Sequence, residues 1–360
     1  MKIVHIVEAF GGGVYSFLVD LCNELINNFE IVIIYSQRDQ TPKNFKEDFD
    51  KRIRFVEIDM CRGLNICKNI KSLFQIKNIL KNEKPDIVHL HSSKAGFLGR
   101  IVCRMNKFNE KKIFYNPHGF AFLQQNESNF KRKMYFELEK FAAKLGGYIV
   151  GCSKGEYEEA SKISNKCVNI NNGINTEKID NIIKESELDR KIYKKNEKII
   201  IGTVGRICYQ KNPSLFNKIA EKFPEYNFVW IGDGDLKNEL KSNNIKITGW
   251  LSQNEVIENV LELNIFILTS LWEGLPIALL EVMYLKKVCI VSNVIGNKDV
   301  IKNYNNGFIA KSEDDFIKYI NLYNENIKLM NEMEVSAYRS VTDYYNTKKM
   351  IKSYEILYNK

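Results

Sequence analysis

The sequence has no long apolar run and few prolines, and each shortage excludes a class of protein. No run of apolar residues approaches the roughly 18–20 that a membrane-spanning helix needs, and the start MKIVHIVEAF has the pattern of a strand, not of a signal peptide. Only six prolines occur among 360 residues and 44% of the chain is hydrophobic, which excludes disordered and collagen-like proteins; no internal repeat is visible. We therefore expect a globular, cytoplasmic protein of about two domains.

Cysteine and histidine are placed without the spacing of a metal site. The eight cysteines form no C-x-x-C pair and no cluster with histidine at metal-ligand spacing, so we predict reduced, mostly buried thiols, no metal and no other cofactor. The four histidines, His5, His89, His91 and His118, all lie in the first third of the chain. Any chemistry in the second half must therefore proceed without imidazole.

Positive charge is concentrated in one part of the chain. The formal net charge is +9, and residues 51–150 hold 20 Lys and Arg against 8 Asp and Glu. A basic face on one domain predicts an anionic partner, which would be nucleic acid, a phosphorylated ligand or an anionic membrane surface. A lysine-rich surface that is merely solvated is the alternative.

Short β-branched runs alternate with segments of helical periodicity along the whole chain. Several runs are apolar at successive residues, which is typical of central parallel strands covered on both faces. The candidate strands are residues 2–7, 31–36, 53–58, 87–91, 113–116, 148–152, 199–204, 227–231, 245–248, 265–269, 288–291 and 307–310. The alternation predicts an α/β protein of two doubly wound parallel-sheet, Rossmann-like domains facing across a cleft, where the carboxyl ends of the strands bind ligands.

The expected domain boundary lies in a polar, highly charged stretch, residues 178–198, which we interpret as a surface helix and a linker. We therefore assign residues 1–185 to the first domain and 186–337 to the second. The last segment, 338–360, has aromatic and aliphatic residues at helical spacing. We expect it to form a helix that packs back on the first domain.

A glycine-rich turn follows the first strand. Gly12 and Gly13 allow the backbone to approach a ligand closely and to point amide N–H groups at an anion. A dinucleotide-binding fingerprint, G-x-G-x-x-G, would need glycine where Ser16 stands, which makes that interpretation weak. A tight turn without a ligand is the alternative.

Two cations follow a strand in the second half. Gly205 and Arg206 come directly after the strand, and Lys211 lies five residues further on. A guanidinium fork and an ammonium at the carboxyl end of a strand can neutralise two phosphates of one ligand. Taken alone, such residues are more often solvated, but this position favours ligand binding.

Two glutamates flank an apolar segment in the second half. Glu273 precedes Gly274 and Leu275, and Pro276 is expected in the first turn of a helix, which leaves the two preceding amides free to point at a ligand. Glu281 lies two turns into this apolar helix, so its carboxylate needs partners such as the hydroxyl groups of a sugar or ribose. A helix N-terminal charge and a structural hydrogen-bond acceptor are the alternatives.

Two shorter motifs follow strands. His118, between Pro117 and Gly119, places an imidazole at the edge of the first domain, although a lone histidine is usually structural. Residues 233–235, Asp-Gly-Asp, could bind a metal, but the adjacent glycines and the lack of another nearby acidic residue favour a tight backbone turn.

Together these motifs resemble those of the retaining glycosyltransferases of family 4, which share the GT-B architecture of two Rossmann-like domains. The E-x7-E signature is Glu273-GLPIALL-Glu281, the G-R…K signature is Gly205-Arg206…Lys211, and IGDGDL resembles the family's G-x-G turn. The first-turn glycines, the P-H-G motif and the N-G-I-N motif also match in order and spacing. The matches span about residues 1–310, nearly the whole chain.

Two positions depart from the family's pattern. Asn212 stands where the family usually has glycine, and Asn175 stands where it commonly has aspartate. Neither is a charged ligand of the reaction centre in the resemblance. We expect these departures to affect local turn geometry more than activity.

The resemblance implies how a nucleotide-sugar donor would be held. Arg206 and Lys211 would bind the diphosphate and stabilise the charge that develops on it, Glu281 would accept hydrogen bonds from the ribose, and the backbone at Thr248 and Gly249 would contact the base. The donor sugar would be contacted by one carboxylate, two amides and one imidazole, those of Glu273, Gly274, Leu275 and His118.

The resemblance also implies the chemistry. The catalytic residues would be His118, Arg206, Lys211 and Glu273, while Gly12, Gly13 and Gly205 would shape the donor site. Front-face transfer would retain the anomeric configuration, with the leaving phosphate taking the acceptor proton, so no metal is required. Transfer from a diphosphate needs charge stabilisation more than a strong base, which agrees with the cations and helix amides found here.

A lipid-linked acceptor would account for the basic first domain. Residues 62–84 and 130–144 have the pattern of amphipathic helices with Lys and Arg faces, suited to an anionic bilayer. The resemblance implies transfer of a hexose or N-acetylhexosamine from a UDP-sugar to a saccharide on polyprenyl diphosphate, in capsule or O-antigen biosynthesis, because relatives that build such polysaccharides act on lipid-linked sugars. The enzyme would act as a cytoplasmic, peripheral protein at the inner face of the cell membrane.

Two other functions compete with this hypothesis. A GT-B sugar-nucleotide epimerase uses the same scaffold but typically needs acid and base residues, and the E-x7-E pattern favours transfer. A basic nucleic-acid-binding protein would explain the charge, yet the sequence has no basic module rich in aromatics and no helix-turn-helix pattern. We therefore expect no nucleic-acid partner.

Overall fold

The computed structural model describes residues 1–60, 66–185 and 198–360, which form two compact units. The first unit comprises Met1–Asn172 and Thr347–Lys360, and the second comprises Gly173–Asn346. Each unit is built on one parallel sheet, which confirms the predicted α/β fold with two Rossmann-like units. None of the described helices is long and apolar enough to cross a bilayer.

The first unit contains a seven-stranded sheet. Its strands are β1 (Lys2–Val7), β2 (Glu30–Tyr35), β3 (Arg54–Glu57), β4 (Ile87–His91), β5 (Ile113–Asn116), β6 (Tyr148–Gly151) and β7 (Cys167–Asn169). Its helices are α1 (Gly12–Leu25), α2 (Ile66–Glu83), α3 (Ser93–Met105), α4 (Asn129–Lys144), α5 (Lys154–Ser161) and the C-terminal α13 (Thr347–Tyr358). The strand order is β3-β2-β1-β4-β5-β6-β7, so the direction of winding reverses between β1 and β4.

The central strands of this sheet are buried on both faces. On β1, Ile3 and Val7 belong to one hydrophobic core, whereas Val4 and Ile6 belong to another on the opposite face. Successive side chains of a strand alternate between faces, which is why the sequence of β1 is a continuous apolar run and not an alternating one.

The second unit contains a six-stranded sheet. Its strands are β8 (Ile200–Val204), β9 (Asn227–Ile231), β10 (Ile245–Ile247), β11 (Ile265–Leu268), β12 (Val288–Ser292) and β13 (Phe308–Ala310). Its helices are α6 (Thr176–Glu185), α7 (Pro213–Lys222), α8 (Gln253–Leu261), α9 (Ile277–Tyr284), α10 (Asn297–Val300), α11 (Glu313–Glu325) and α12 (Ile327–Tyr344). The order β10-β9-β8-β11-β12-β13 reverses between β8 and β11.

The units divide earlier than the expected boundary at residue 185. The first unit ends at Asn172, and α6 belongs to the second, where it packs against α8. Ile179 and Ile182 of α6 are buried, and the Tyr284 hydroxyl donates to Asp180 Oδ1 at 2.7 Å. These apolar contacts were hidden in the sequence by the surrounding charged residues. Residues 186–197 of the predicted linker lie outside the described residues.

The expected C-terminal helix, residues 338–360, is two helices in the structure. α12 packs on α9 in the second unit and ends at Tyr344, whereas α13 packs on α1 in the first unit. Between them, the Tyr345 carbonyl accepts a hydrogen bond of 3.0 Å from Ile174 N, in the strand-like bridge where the chain also leaves the first unit. Both segments have helical periodicity, so the pattern alone does not mark the break.

Two smaller differences concern strands and helix starts. β7 is absent from the predicted strands because it has only three residues, none of them buried. The predicted basic helix at residues 62–84 corresponds to α2, and its first four residues, 62–65, lie outside the described part of the chain.

Candidate functional site

The candidate site of the second unit lies where the sheet reverses direction. β8 and β11 are neighbours, and the loops that follow them leave the same edge of the sheet. In open α/β sheets this edge, at the carboxyl ends of the strands, is the usual place for ligands. The G-R…K motif follows β8 and the E-x7-E motif follows β11.

The two motifs contact each other. Lys211 Nζ lies 2.7 Å from Glu273 Oε1, and both side chains are mostly buried, with exposed fractions of 16% and 8%. Gln210 Nε2 donates to the Trp272 carbonyl at 2.9 Å, and Leu271 N donates to the Gln210 carbonyl at 2.8 Å. The loop after β8 is thus fastened to the loop after β11. Removing one partner of such a buried ion pair would leave an uncompensated charge.

Asn212, one of the departures from the family's usual residues, has a conformational role. Its backbone is left-handed, with φ of +54° and ψ of 62°, and its side chain caps α7 by accepting a hydrogen bond from Leu215 N. Glycine and asparagine are the residues that adopt this conformation most readily. Asparagine therefore allows the same left-handed turn that glycine would, and its side chain also caps α7.

Arg206 is the other cation of the G-R…K motif. It follows Gly205, whose φ of +137° suits glycine and whose missing side chain leaves room for Lys211; a Cβ there would lie 3.2 Å from Lys211 Cε. The Arg206 side chain is half-buried and makes no hydrogen bond or ion pair with the residues that the structure describes. A partly buried guanidinium with unused donors is suited to bind an anion.

Glu281 already contacts other protein groups. It is half-buried on α9, and Gln253 Nε2 donates to its Oε1 at 3.2 Å.

The start of α9 differs by one residue from the prediction, because Pro276 is the N-cap and the helix begins at Ile277. Gly274 packs closely on Gly296, where a Cβ would lie 2.3 Å from the Gly274 carbonyl oxygen. Leu275 is buried.

The candidate base contacts lie after β10. Thr248 Oγ1 accepts a hydrogen bond of 3.0 Å from Gly232 N, which ties this loop to the turn after β9. Gly249 has a φ of +79° with open space beside it. In residues 233–235 the Asp233 side chain accepts a hydrogen bond of 2.7 Å from Gly234 N, the geometry of a tight turn.

The glycine-rich turn of the first unit begins α1. Gly12 has a φ of +53°, and a Cβ at Gly12 or Gly13 would meet no atom within 4 Å. The N-cap, Gly11, has no side chain to accept from the first amides of the helix. The open space beside Gly12 and Gly13 therefore leaves room for an anion at the start of α1, where no side chain caps the first amides.

His118 lies in a strained loop after β5. It has a left-handed backbone, with φ of +54°, and a half-buried ring. The loop is held by Glu156, a buried carboxylate that accepts hydrogen bonds from Gly119 N at 2.6 Å and from Cys152 N at 2.8 Å. Strain of this kind persists where the surroundings hold the residue in place, often at functional sites. The sequence gives no sign of Glu156, which stands in an ordinary helical segment.

The four histidines of the chain come together in the first unit. His5 Nδ1 lies 3.0 Å from His91 Nε2, and His91 Nδ1 lies 3.1 Å from His118 Nε2. His89 sits beside them, with its Nε2 2.6 Å from Asn116 Oδ1. Burial lowers the pKa of His89 to about 4 and that of His118 to about 3, and it lowers the pKa of His5 and His91 as well. The rings are therefore neutral at pH 7.

Three of these rings, His5, His89 and His91, are close enough to hold a metal ion, with ligand atoms within 4.8 Å of one another. However, both His89 nitrogens already have partners, because its Nδ1 lies 2.6 Å from the Tyr358 hydroxyl. His5 and His91 also share a hydrogen bond. The donor set therefore fits a hydrogen-bonded cluster better than a metal centre.

Comparison with known proteins shows the family of the chain. Residues 11–178 match the model "Glycosyltransferase Family 4", and residues 184–340 match the model "Glycosyl transferases group 1". The chain is 34% identical to the UDP-Gal:alpha-D-GlcNAc-diphosphoundecaprenol alpha-1,3-galactosyltransferase of Escherichia coli, over 93% of this chain and 90% of that protein.

Two further similarities extend this result. The chain is 23% identical to the N,N'-diacetylbacillosaminyl-diphospho-undecaprenol alpha-1,3-N-acetylgalactosaminyltransferase of Campylobacter jejuni, over 93% of this chain and 92% of that protein. Sucrose-phosphate synthase from Thermosynechococcus elongatus has a similar structure, with a TM-score of 0.83 and 12% identity over 100% of this chain and 98% of that one. The similarity to sucrose-phosphate synthase shows that this chain has the GT-B fold.

Proposed function

The chain belongs to the family 4 glycosyltransferases, and from that premise we propose that it transfers a hexose or N-acetylhexosamine from a UDP-sugar, with retention, to a polyprenyl-diphosphate-linked saccharide. The product would serve capsule or O-antigen biosynthesis. The names of the Escherichia coli and Campylobacter jejuni relatives, which both specify undecaprenyl-diphosphate acceptors, support the acceptor class.

The observation that carries the proposal is the pairing of Lys211 with Glu273, in the same loop as Arg206, which has no partner among the described residues. As the bond between the sugar C1 and the diphosphate oxygen breaks, negative charge develops on the leaving phosphate. Arg206 and Lys211 would stabilise that charge, and Glu273 would hold both the ammonium of Lys211 and hydroxyl groups of the sugar. A partly buried site makes these charges more effective than they would be in water.

The remaining proton balance needs no strong protein base. The acceptor hydroxyl would attack C1 from the face that the diphosphate leaves, and its proton would pass to the leaving phosphate oxygen. The new glycosidic bond then has the anomeric configuration of the donor. No metal ion is needed in this scheme, because the two cations and the helix amides supply the positive charge.

Other residues would orient the donor and the acceptor. Glu281 would accept hydrogen bonds from the ribose hydroxyls, in addition to the one from Gln253, and the backbone at Thr248 and Gly249 would contact the base. Gly12 and Gly13 would let a diphosphate approach the amides of α1. The amides preceding α9, at Gly274 and Leu275, and the His118 imidazole would contact the sugar.

The first unit would bind an anionic membrane, where a lipid-linked acceptor lies. Phe130 and Phe141 of α4 are 79% and 54% exposed, and Ile70 and Phe74 of α2 are also exposed. Lys71 lies between the two apolar residues of α2, and three lysines and one arginine lie between Phe130 and Phe141 of α4. A helix with exposed apolar and basic side chains is suited to the interface of an anionic bilayer. We place the enzyme at the inner face of the cell membrane as a peripheral protein.

A transfer assay tests the proposal. The full chain is incubated with a panel of UDP-sugars and a GlcNAc-diphosphate-lipid acceptor, and the product's anomeric configuration is read from the coupling constant of its new anomeric proton. We expect one UDP-sugar to give a product of retained configuration. An isomerised donor without acceptor would indicate an epimerase, and an inverted product would refute retention.

A further inference from the structure

The three hydrogen-bonded rings of the first unit form what we call the histidine chain: His5, His91 and His118 in that order. The joining N···N distances are 3.0 Å and 3.1 Å, and the planes of successive rings are nearly parallel, with interplanar angles of 25° and 20°. Each ring is neutral at pH 7 because burial lowers its pKa. A neutral imidazole has one N–H donor and one acceptor nitrogen, so a chain of such rings has a direction.

The buried end of the histidine chain fixes that direction. His5 is fully buried, and its Nε2 has no hydrogen-bond partner among the residues described. If the hydrogen bonds ran towards His5, this nitrogen would carry an N–H without an acceptor. Buried N–H groups without acceptors are rarer than unused acceptors. The favoured arrangement leaves a lone pair on His5 Nε2 and the proton on His5 Nδ1.

The tautomer of His5 then determines the proton positions on the other two rings of the histidine chain. His5 Nδ1–H donates to His91 Nε2, which leaves the proton of His91 on Nδ1. His91 Nδ1–H donates to His118 Nε2, so the proton of His118 is on its own Nδ1. His118 Nδ1 makes no hydrogen bond with the described residues. Unlike His5 Nε2, it is accessible to solvent.

We propose that His91 is a positioning residue that fixes His118 as the Nδ1–H tautomer, so that His118 donates a hydrogen bond to the substrate and does not accept a proton from it. The substrate contact rests on the proposed glycosyl transfer, whereas the tautomer is a property of the protein alone. A donor at this position suits a sugar hydroxyl oxygen or a phosphate oxygen. It is also consistent with transfer in which the leaving phosphate takes the acceptor proton.

His89 provides an internal contrast, since its neighbours impose the other tautomer. Its Nε2 faces Asn116 Oδ1, which can only accept, so the His89 proton is on Nε2. His89 Nδ1 then accepts from the Tyr358 hydroxyl. The structure therefore predicts three Nδ1–H rings and one Nε2–H ring, although histidine side chains in water favour the Nε2–H form.

The test is a long-range 1H–15N correlation spectrum of the full chain with 15N-labelled histidine at pH 7. The chain has only four histidines, and single substitutions assign them. We expect the Nδ1–H pattern for His5, His91 and His118 and the Nε2–H pattern for His89. An Nε2–H pattern for His118 would overturn the proposal, and this spectrum requires no substrate or turnover.

Variants separate positioning from simple packing. H91F removes the donor to His118 Nε2, so we expect His118 to shift towards the Nε2–H form and kcat/KM to fall about tenfold, the cost of one hydrogen bond. H91Q can still donate an N–H and should restore the Nδ1–H tautomer and most of the activity. Y358F alters only the partner of His89 and should leave the His118 signals unchanged.

The outcomes of these variants are distinguishable from those of the transfer assay. If His118 has the Nδ1–H pattern in the wild type but H91F leaves both that pattern and kcat/KM unchanged, His91 does not position it. If no UDP-sugar is a donor, the proposed function fails, but the wild-type spectrum still decides the tautomer. Should H91F not fold, the wild-type spectrum and H91Q remain as the test.

Discussion

The two units build their candidate sites from opposite kinds of polar group. In the second unit, charged side chains lie at the reversal between β8 and β11, where Lys211 pairs with Glu273 and Arg206 has no partner among the described residues. In the first unit, the reversal between β1 and β4 holds neutral imidazoles that bond to one another. In the proposed reaction, the same sheet topology would therefore support charge stabilisation in one unit and oriented hydrogen bonding in the other.

The charged and the neutral groups would have different roles in the proposed reaction. Charges stabilise a leaving diphosphate because that is where negative charge develops. Neutral rings with fixed tautomers orient substrate groups without changing their charge. Four predictions test this contrast.

Removing a cation from the second unit should have the largest effect. We expect R206A and K211A each to lower kcat by about 10²–10³-fold, the typical cost of losing one donor to a developing anion. K211A should also lower the melting temperature, because it leaves Glu273 mostly buried without its partner. K222A, an exposed lysine at the far end of α7, is the control and should retain full activity. Near-normal turnover in R206A and K211A would refute the charge-based site.

Mild acid should weaken the first unit before the second, since all four histidines lie in the first. The folded pKa of His89 is about 4, below the ordinary value of 6.5, so the unfolded chain binds more protons between these values and stability falls as the pH falls. His89 alone should cost about 2 kcal/mol between pH 6.5 and 5. Hydrogen exchange, corrected for its intrinsic pH dependence, should show the loss in peptides of the first unit. Equal losses in both units would contradict this expectation.

The exposed apolar residues of α4 should matter for membrane binding only. We expect the double variant F130S/F141S to bind vesicles containing anionic lipid about tenfold more weakly at low salt, with unchanged UDP binding. Wild-type binding should decrease as salt is added, because the lysines interact with the lipid charge. I327S changes an exposed residue of the second unit and should bind like the wild type. Indifference of the wild type to anionic vesicles would refute the membrane surface.

Substitution of Asn212 should have the smallest effect. Asn212→Ala places a Cβ without local hydrogen bonding in a left-handed conformation and removes a helix cap, so we expect a loss of about 1–2 kcal/mol in urea unfolding. Asn212→Gly restores the family's usual residue and should cost only a few tenths of a kcal/mol. If alanine and glycine cost the same, the left-handed turn is not what selects asparagine.

The charged site was the more predictable of the two. Arg206, Lys211 and Glu273 stand in spaced motifs after strands, and the alternation of strands and helices predicts which edge of the sheet they share. The contact between Lys211 and Glu273 depends on β8 and β11 being neighbours although β9 and β10 lie between them in sequence. The spacing of the motifs along the chain does not reveal that β8 and β11 are neighbours.

The histidine chain was not predictable from spacing. His5 and His91 lie 86 residues apart and meet because β1 and β4 are paired, with His5 opposite His89 and Val7 opposite His91. Strand register is a tertiary property that a single sequence does not reveal. The division between the units after Asn172 and the helix break near residue 345 were missed for a similar reason, since packing partners and not periodicity decide where α6 and α12 belong.

Calorimetric titration with UDP measures whether Arg206 and Lys211 hold the donor diphosphate. We expect wild type and K222A to bind UDP with equal affinity, and R206A and K211A to bind at least about tenfold more weakly, since hydrogen bonds to charged groups contribute about 1.5–3 kcal/mol each. Equal affinity in all four proteins would show that neither cation holds the diphosphate.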